Sequence, residues 1–366
     1  MNRLGCGVVT MCSLFLLVAL VFVWPILTTE QSEKENIEQL AELIIPHEEE
    51  QVEPVVKMED ELEGENDNLE FTLDVLLGES TEEVVKQLGE PKRIDPSLYG
   101  YDWWIYYVED DGYIQVGIQQ DEVVTIYGIG RSIASDPFVS GTDYNDIMGY
   151  VDITDQVAIH AEGASFRFEL NDEELQTQPL IEYKGNYIQL YFDTFTQQLS
   201  SVRYIKGDVL LKQRPYALTY RGSLPMVEEP TEEEWKAIEK GAEQQILDIT
   251  NAIRYLHEKP PLEWDEKIAS VAYGHSEDMS TNEFFSHESP RHGELVDRLQ
   301  EGNVKYQTAG ENIAANYVDS IAAVEGWLNS EGHRVNLLSD EFTHLGVGVH
   351  ELYYTQNFMT PWQFLN

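Results

Sequence analysis

After Cys12 this sequence contains no cysteine. Nothing downstream can be stapled by a disulfide, so any fold there is held by packing and hydrogen bonding alone. Basic residues are scarce as well: 23 lysines and arginines stand against 67 acidic residues, for a net charge of −44. Arg3 is the one charge before Glu30, so the chain beyond the leader is a unit more negative still. Nucleic-acid binding is driven by neutralising phosphates, and a polyanion of this size excludes it. Anionic lipid and anionic wall polymers are repelled for the same reason, whereas divalent cations and cationic partners are attracted. The plainer role of the charge is solubility outside the cell.

The run from Leu4 to Leu27 carries no charge. As a helix it would reach about 36 Å at ~1.5 Å per residue, enough for a ~30 Å hydrocarbon layer. Arg3 precedes it and acidic sequence follows, which orients the N-terminus to the cytoplasm and the bulk outward. A cleaved signal peptide is the rival reading. The short n-region, the long apolar run and the lack of an Ala-x-Ala site after Trp24-Pro25 favour an uncleaved anchor, residues 1–29. Cys6 and Cys12 both lie in it and read as membrane residues open to acylation.

Residues 30–68 are Glu-rich and cannot bury a core, so they read as an acidic disordered stalk. Residues 69–222 are the opposite, with short Tyr-, Trp-, Val- and Ile-rich runs at 103–108, 113–118, 123–129, 187–192 and 199–205 that predict half-buried strands. Ser80-Thr81-Glu82-Glu83 has the capping-box pattern for a short helix ended by Gly89 and Pro91. Tyr113-Ile114-Gln115 and Val123 to Tyr127 parallel Tyr187-Ile188-Gln189 and Leu199 to Tyr204, with helix starts after Gly78 and Gly141. The segment therefore reads as an internally duplicated, β-rich α+β domain. Residues 223–234 form a linker. Thr231 to Glu234 then opens a helix that the pair Pro260-Pro261 should end near Lys259.

Residues 235–366 hold three informative segments: Phe285-Ser286-His287, Gly310-Glu311-Asn312, and Gly326-Trp327-Leu328-Asn329-Ser330-Glu331-Gly332-His333-Arg334. With Asn251-x-x-Arg254 and Pro261-Leu262-x-Trp264 they resemble the CAP superfamily (cysteine-rich secretory proteins, antigen 5, pathogenesis-related 1 proteins) in its bacterial extracellular form. Leu88-Gly89-Glu90-Pro91 and Arg214-Pro215-Tyr216 resemble the CAP-associated domain that precedes this module in some spore-forming Gram-positive bacteria. The resemblance implies an α-β-α sandwich, a central antiparallel sheet between helices. It also implies a cleft built from His287, Glu311 and His333. Ser330 stands where the family usually has a second glutamate, which removes one negative charge and puts a two-glutamate general base in doubt.

Two imidazoles and a carboxylate are a partial ligand set for zinc or another divalent cation, with His287 and His333 as ligands and Glu311 nearby. The same groups without metal suit a polar or anionic ligand head. Three readings stay open. One is a membrane-anchored protein binding a small-molecule, lipid or protein ligand in the cleft. Another is a hydrolase of an envelope or peptide substrate using metal-activated water. The third is a non-catalytic scaffold. Loss of the second glutamate leans away from an enzyme. Ser276 and Ser286 lie near histidines but lack a nucleophile elbow. His275 reads as a helix-surface or supporting residue, His292 as a turn residue, His344 as a strand edge, and His257 and His350 as solvated ends. Asn312 and Asn336 should satisfy backbone groups where strand turns into helix.

Overall fold

The computed structural model describes residues 72–108, 112–133, 135–161 and 164–362. The anchor expected over residues 4–27 and the acidic stalk over 30–68 lie outside the described residues. Among the described residues no helix is long and apolar enough to cross a membrane.

Among the described residues the first half contains ten strands: β1 (Arg93–Pro96), β2 (Asp102–Val108), β3 (Gly112–Gln119), β4 (Glu122–Ile129), β5 (Gln156–Ala161), β6 (Ala164–Glu169), β7 (Leu180–Tyr183), β8 (Asn186–Asp193), β9 (Gln198–Ile205) and β10 (Ala217–Arg221). Seven make an antiparallel sheet in the order β1-β2-β3-β4-β9-β8-β7, and β10-β6-β5 make a smaller one. The helices are α1 (Thr81–Leu88), α2 (Tyr144–Met148), α3 (Asp172–Thr177) and α4 (Gly207–Gln213). The large sheet is built alike on both sides of its β4/β9 seam. The hairpins β3-β4 and β8-β9 each carry a register shift, after Gly117 and after Tyr191. Gly78 N donates to Val123 O, and Gly141 N donates to Leu199 O. Both glycines have a φ near +90°, which a side chain would resist. A short helix follows each, capped by Ser80 before α1 and by Asp143 before α2.

The strands expected to be half-buried are buried on both faces: β3, β4, β8 and β9 have almost no exposed position. Successive side chains point to opposite faces, and each face has its own cover. Ile114, Val116 and Ile126 pack with Leu73, Leu76 and Ile147. Tyr113, Tyr127 and Ile129 join a second cluster that continues into the C-terminal half, with Ile246, Ile249, Trp327, Val347 and Phe358. The two halves of the chain thus share one hydrophobic core.

The C-terminal half contains α5 (Glu232–Leu256), β11 (Glu263–Trp264), α6 (Glu266–Thr281), α7 (Leu295–Glu301), β12 (Tyr306–Ala315), α8 (Ser320–Leu328), α9 (Glu331–Leu337), β13 (His344–His350) and β14 (Tyr353–Pro361). Thr231 and Glu234 form the full capping box that starts α5. The helix stops at Leu256, short of the expected Lys259, because Glu258 turns the chain at φ +57 before the prolines arrive. The sheet order is β11-β13-β14-β12, antiparallel except that β11 runs parallel to β13. Leu345, Val347 and Val349 face the α5 side. On the other face α6 lies directly on β13: a Cβ at Gly346 would sit 2.2 Å from Ala269 N, and one at Gly348 would sit 1.9 Å from Tyr273 N. Helices on both faces of this sheet make the expected α-β-α sandwich.

Candidate functional site

Glu311 lies in β12 with its side chain almost wholly buried, and its two oxygens have different partners. Oε1 lies 2.9 Å from His287 Nδ1. Oε2 accepts from Nη2 of Arg298, itself buried in α7. The other terminal nitrogen of Arg298 donates to the His287 and Gly293 carbonyls at 2.8 and 2.9 Å. One arginine thus fixes both the carboxylate and the loop that carries the histidine. With its amide turned so that both ends pair, Asn357 of β14 adds a donor to Oε2 at 3.1 Å. Burial alone would raise the Glu311 carboxyl. The hydrogen bond from His287 and the charge of Arg298 overcome it and hold the group below its ordinary value. An ionised carboxylate can only accept, so Nδ1 of neutral His287 carries the proton and Nε2 is left with its lone pair. The His287 side chain is more than half exposed.

His333 projects from α9, with Nδ1 2.7 Å from Ser330 Oγ. Ser330 therefore holds the second imidazole through its hydroxyl. Burial lowers the His333 basicity and the nearby His287 lowers it further, so the two rings are close enough to repel when charged. Both histidines are tethered through Nδ1.

Glu311, the third member of the proposed zinc set, has both oxygens committed to His287 and Arg298. No group of three His, Cys, Asp or Glu side chains converges on a metal-binding point among the described residues. The imidazole Nε2 atoms are what the cleft has left to offer a cation.

Several supporting residues are placed differently from the sequence reading. Of its two expected readings His275 takes that of a supporting residue: it is buried, and Nε2, 3.0 Å from Ser286 O, ties α6 to the His287 loop. Burial lowers its basicity. Asn312 is not at a strand-to-helix turn but inside β12, where its amide nitrogen reaches the His333 carbonyl at 3.1 Å. Asn336 donates to Glu311 O and to Asn312 Oδ1, fastening α9 onto β12. His257 and His350 are not free ends, because they lie 3.2 Å from Asp193 and 3.5 Å from Glu239. His292 pairs with Glu301, and His344 opens β13. Ser276 bonds to Gly348 O and Thr355, and Ser286 accepts from Glu288 N, so neither meets a histidine as a nucleophile would. Arg298 was missed altogether. Its one sequence signal is a charge beside Leu299 on an otherwise short amphipathic helix.

The first half of the chain reaches this region. Asp193, at the end of β8, takes both terminal nitrogens of Arg334, the residue after His333, at 3.0 and 2.8 Å. Burial would raise the Asp193 carboxyl, but His257 and Arg334 pull it down to about 2. A cavity of about 390 Å³ opens between the halves, lined by Glu173 and Tyr191 from one and by Tyr317, Glu325, Ser330 and His333 from the other.

An α-β-α sandwich presenting two tethered imidazoles around an arginine-held glutamate defines a CAP-type module, here fused to a β-rich companion. Residues 247–361 match the cysteine-rich secretory protein (CAP) family and residues 77–216 match the CAP-associated N-terminal family. The chain is 49% identical over 286 residues to the "Uncharacterized membrane protein YlbC" of Bacillus subtilis (strain 168), covering 78% of this chain and 83% of that protein. It is similar to the crystal structure of an extracellular SCP-domain protein from Bacillus anthracis str. Ames, with TM-score 0.76, 44% identity and coverage of 84% and 100% of the two chains. A Staphylococcus aureus cysteine-rich secretory protein shares the fold at TM-score 0.70 and 24% identity, covering 80% of this chain and 94% of that one. This chain belongs to the CAP family, in the branch that carries a CAP-associated N-terminal domain.

Proposed function

We propose that the protein is a membrane-anchored, extracytoplasmic binding protein whose CAP cleft holds the polar group of a ligand at Nε2 of His287 and His333. The observation that carries this is the way both rings are fixed through Nδ1, His287 by Glu311 and His333 by Ser330. Such tethering pre-orients both Nε2 atoms at little further entropic cost on binding. Single-pass anchoring through residues 4–27, N-terminus inside, rests on that uncharged run and on the name of the Bacillus relative as a membrane protein. The strongly acidic chain disfavours nucleic acid and anionic surfaces as partners.

The same two nitrogens are the groups that would hold a divalent cation such as zinc, with Glu311 orienting one of them. The hydrolase reading has less support. Its general base would have to be Glu311, which is locked to Arg298, or Ser330, which is not a carboxylate. The scaffold reading gives no reason for two buried residues, Arg298 and Glu311, to be spent on orienting one exposed imidazole.

Calorimetric titration of zinc into the full chain, beside the His287→Ala/His333→Ala double variant, tests the cleft. One-to-one binding that vanishes in the variant supports it. Absence of specific binding to the folded wild type removes the metal and with it the metal-hydrolase reading. Undiminished binding in the double variant removes the cleft as the site.

A further inference from the structure

The two hairpins of the duplicated sheet differ at their turns. In β3-β4, Gln119 pairs with Glu122 around two residues, and Asp121 in that turn bonds Thr81 of its own half. In β8-β9, Asp193 pairs with Gln198 around four residues. Asp193 shapes the longer turn, its Oδ1 accepting from the amides of Phe195 and Thr196 at 2.9 and 3.3 Å. This turn reaches the segment that carries Ser330 and His333. Asn329, the C-cap of α8, donates through Nδ2 to Phe192 O at 2.8 Å, and its Oδ1 accepts from the amide and the hydroxyl of Thr194 at 2.9 and 2.8 Å. Further along, Arg334 gives both terminal nitrogens to the Asp193 carboxylate and lies over the Phe195 ring, 4.7 Å from its centroid. Ser330 and His333 stand between these two grips.

We propose that the β8-β9 turn of the CAP-associated domain positions the His333 imidazole, with Asp193 acting through Arg334 and Thr194 through Asn329. The reason lies in α9. That helix has seven residues, and its N-cap Ser330 makes no side-chain bond to the helix because its hydroxyl meets the His333 ring. A helix so short and without a side-chain cap depends on tertiary contacts to hold its first turn. His333 lies in that turn, and the contacts at either side of it come from the other half of the chain. The turn that makes them is the longer of the two in a sheet otherwise built alike on both sides. The CAP-associated domain is thus part of the cleft's machinery and does more than space the CAP module from the membrane. The proposal rests on the binding reading above only for what the ring does once placed, and its placement can be read without a ligand.

The test uses the full chain and follows the ring protons of His287 and His333 by NMR through a pH titration. In the wild type, burial and the neighbouring His287 hold His333 below the ordinary histidine value. Thr194→Ala, which keeps the backbone bond to Asn329, and Asp193→Asn should both loosen the ring, so that His333 titrates higher, toward that ordinary value. Loss of the Asp193 charge by itself acts the other way, because a nearby carboxylate favours the charged imidazole. An upward shift therefore reports position and not charge. The His287 curve, set from its own side by Glu311, should not change. Gln120→Gly, in the shorter turn, is the control and should leave both curves as they are. Zinc affinity should fall by about 10- to 100-fold in the Thr194 and Asp193 variants and hold in the control. A wild type that binds no zinc would remove the metal reading of the cleft, and the titration alone would then decide. A His333 curve that is unchanged or lowered in both variants, or that moves as much in Gln120→Gly, would overturn the proposal. Lower melting of the variants would not rescue it, since a purely structural contact gives that result too.

Discussion

Arg203 on β9 and Asp319, the N-cap of α8, form an ion pair across the boundary of the two matched families, with Nη1 2.7 Å from Oδ2. The guanidinium has no solvent exposure. Its remaining donors reach Thr125 Oγ1 at 3.1 Å and the Tyr101 hydroxyl at 3.2 Å, and its plane lies over the Trp103 ring. Burial works against the charge, but Asp319 more than restores it, so Arg203 stays ionised. Asp319 also caps α8 through the Ala322 amide.

That double role permits a clean substitution. Asp319→Asn keeps a good N-cap and leaves Arg203 as a buried charge without its partner, which costs roughly 3–5 kcal/mol. The urea midpoint of the full chain should drop accordingly. A loss below about 1 kcal/mol would mean that the pair adds nothing beyond the cap.

Glu325 makes stability depend on pH. Burial raises its carboxyl, and the hydroxyls of Ser201, Ser200 and Tyr127 pull it back only to about 7, with Asp193 pushing it up again. The native state therefore binds a proton that the unfolded chain has already released near its ordinary value of about 4.3. Stability from this group is present below that ordinary value and falls as pH rises toward 7, by roughly 3–4 kcal/mol in all. Glu325→Gln should melt above the wild type at pH 8 and close to it at pH 5. Equal melting differences at the two pH values would contradict this.

Asp193 has the opposite sign. Held at about 2 by His257 and Arg334, it contributes stability above its ordinary value near 3.9, and that contribution is lost as pH falls toward 2. The amount is about 2.5 kcal/mol. Asp193→Asn should destabilise the protein at pH 6 and converge with the wild type at pH 2, as read from denaturation midpoints at each pH.

Gly348→Ala tests the close contact of α6 with β13. The new Cβ would meet backbone atoms of Tyr273, which cannot swing aside like the end of a side chain. Overpacking of this kind costs about 3 kcal/mol or more, so soluble, cooperatively folding protein should be lost. Gly332→Ala, where a Cβ meets nothing within 4 Å, is the matched control and should fold normally.

Much of the secondary structure could be read locally. The Thr231/Glu234 box, the Asp319 cap and the Tyr-rich hairpins carry their own signals in short windows. His287, Glu311 and His333 were found by the resemblance of short motifs, and the structure places His287 against Glu311 and His333 beside them. Arg298 and Asn357 were not found, because what makes them matter is a partner many residues away. An arginine in a short helix looks solvent-facing until the strand carrying Glu311 is laid beneath it.

The sequence by itself determined composition and local pattern. It set a strongly acidic chain without cysteine after Cys12, strands of period two, helices that begin at their caps, and motifs that mark the CAP fold. These depend on neighbours along the chain, within a turn or a hairpin. Only the tertiary structure decided that both faces of the β-rich sheet are covered and that one core runs through both halves. It also decided that Glu325 is sealed at their boundary beside a cavity lined by both. Burial and charge pairing depend on which surfaces meet in space. Ser201 and Glu325 lie 124 residues apart in the sequence and share one hydrogen bond.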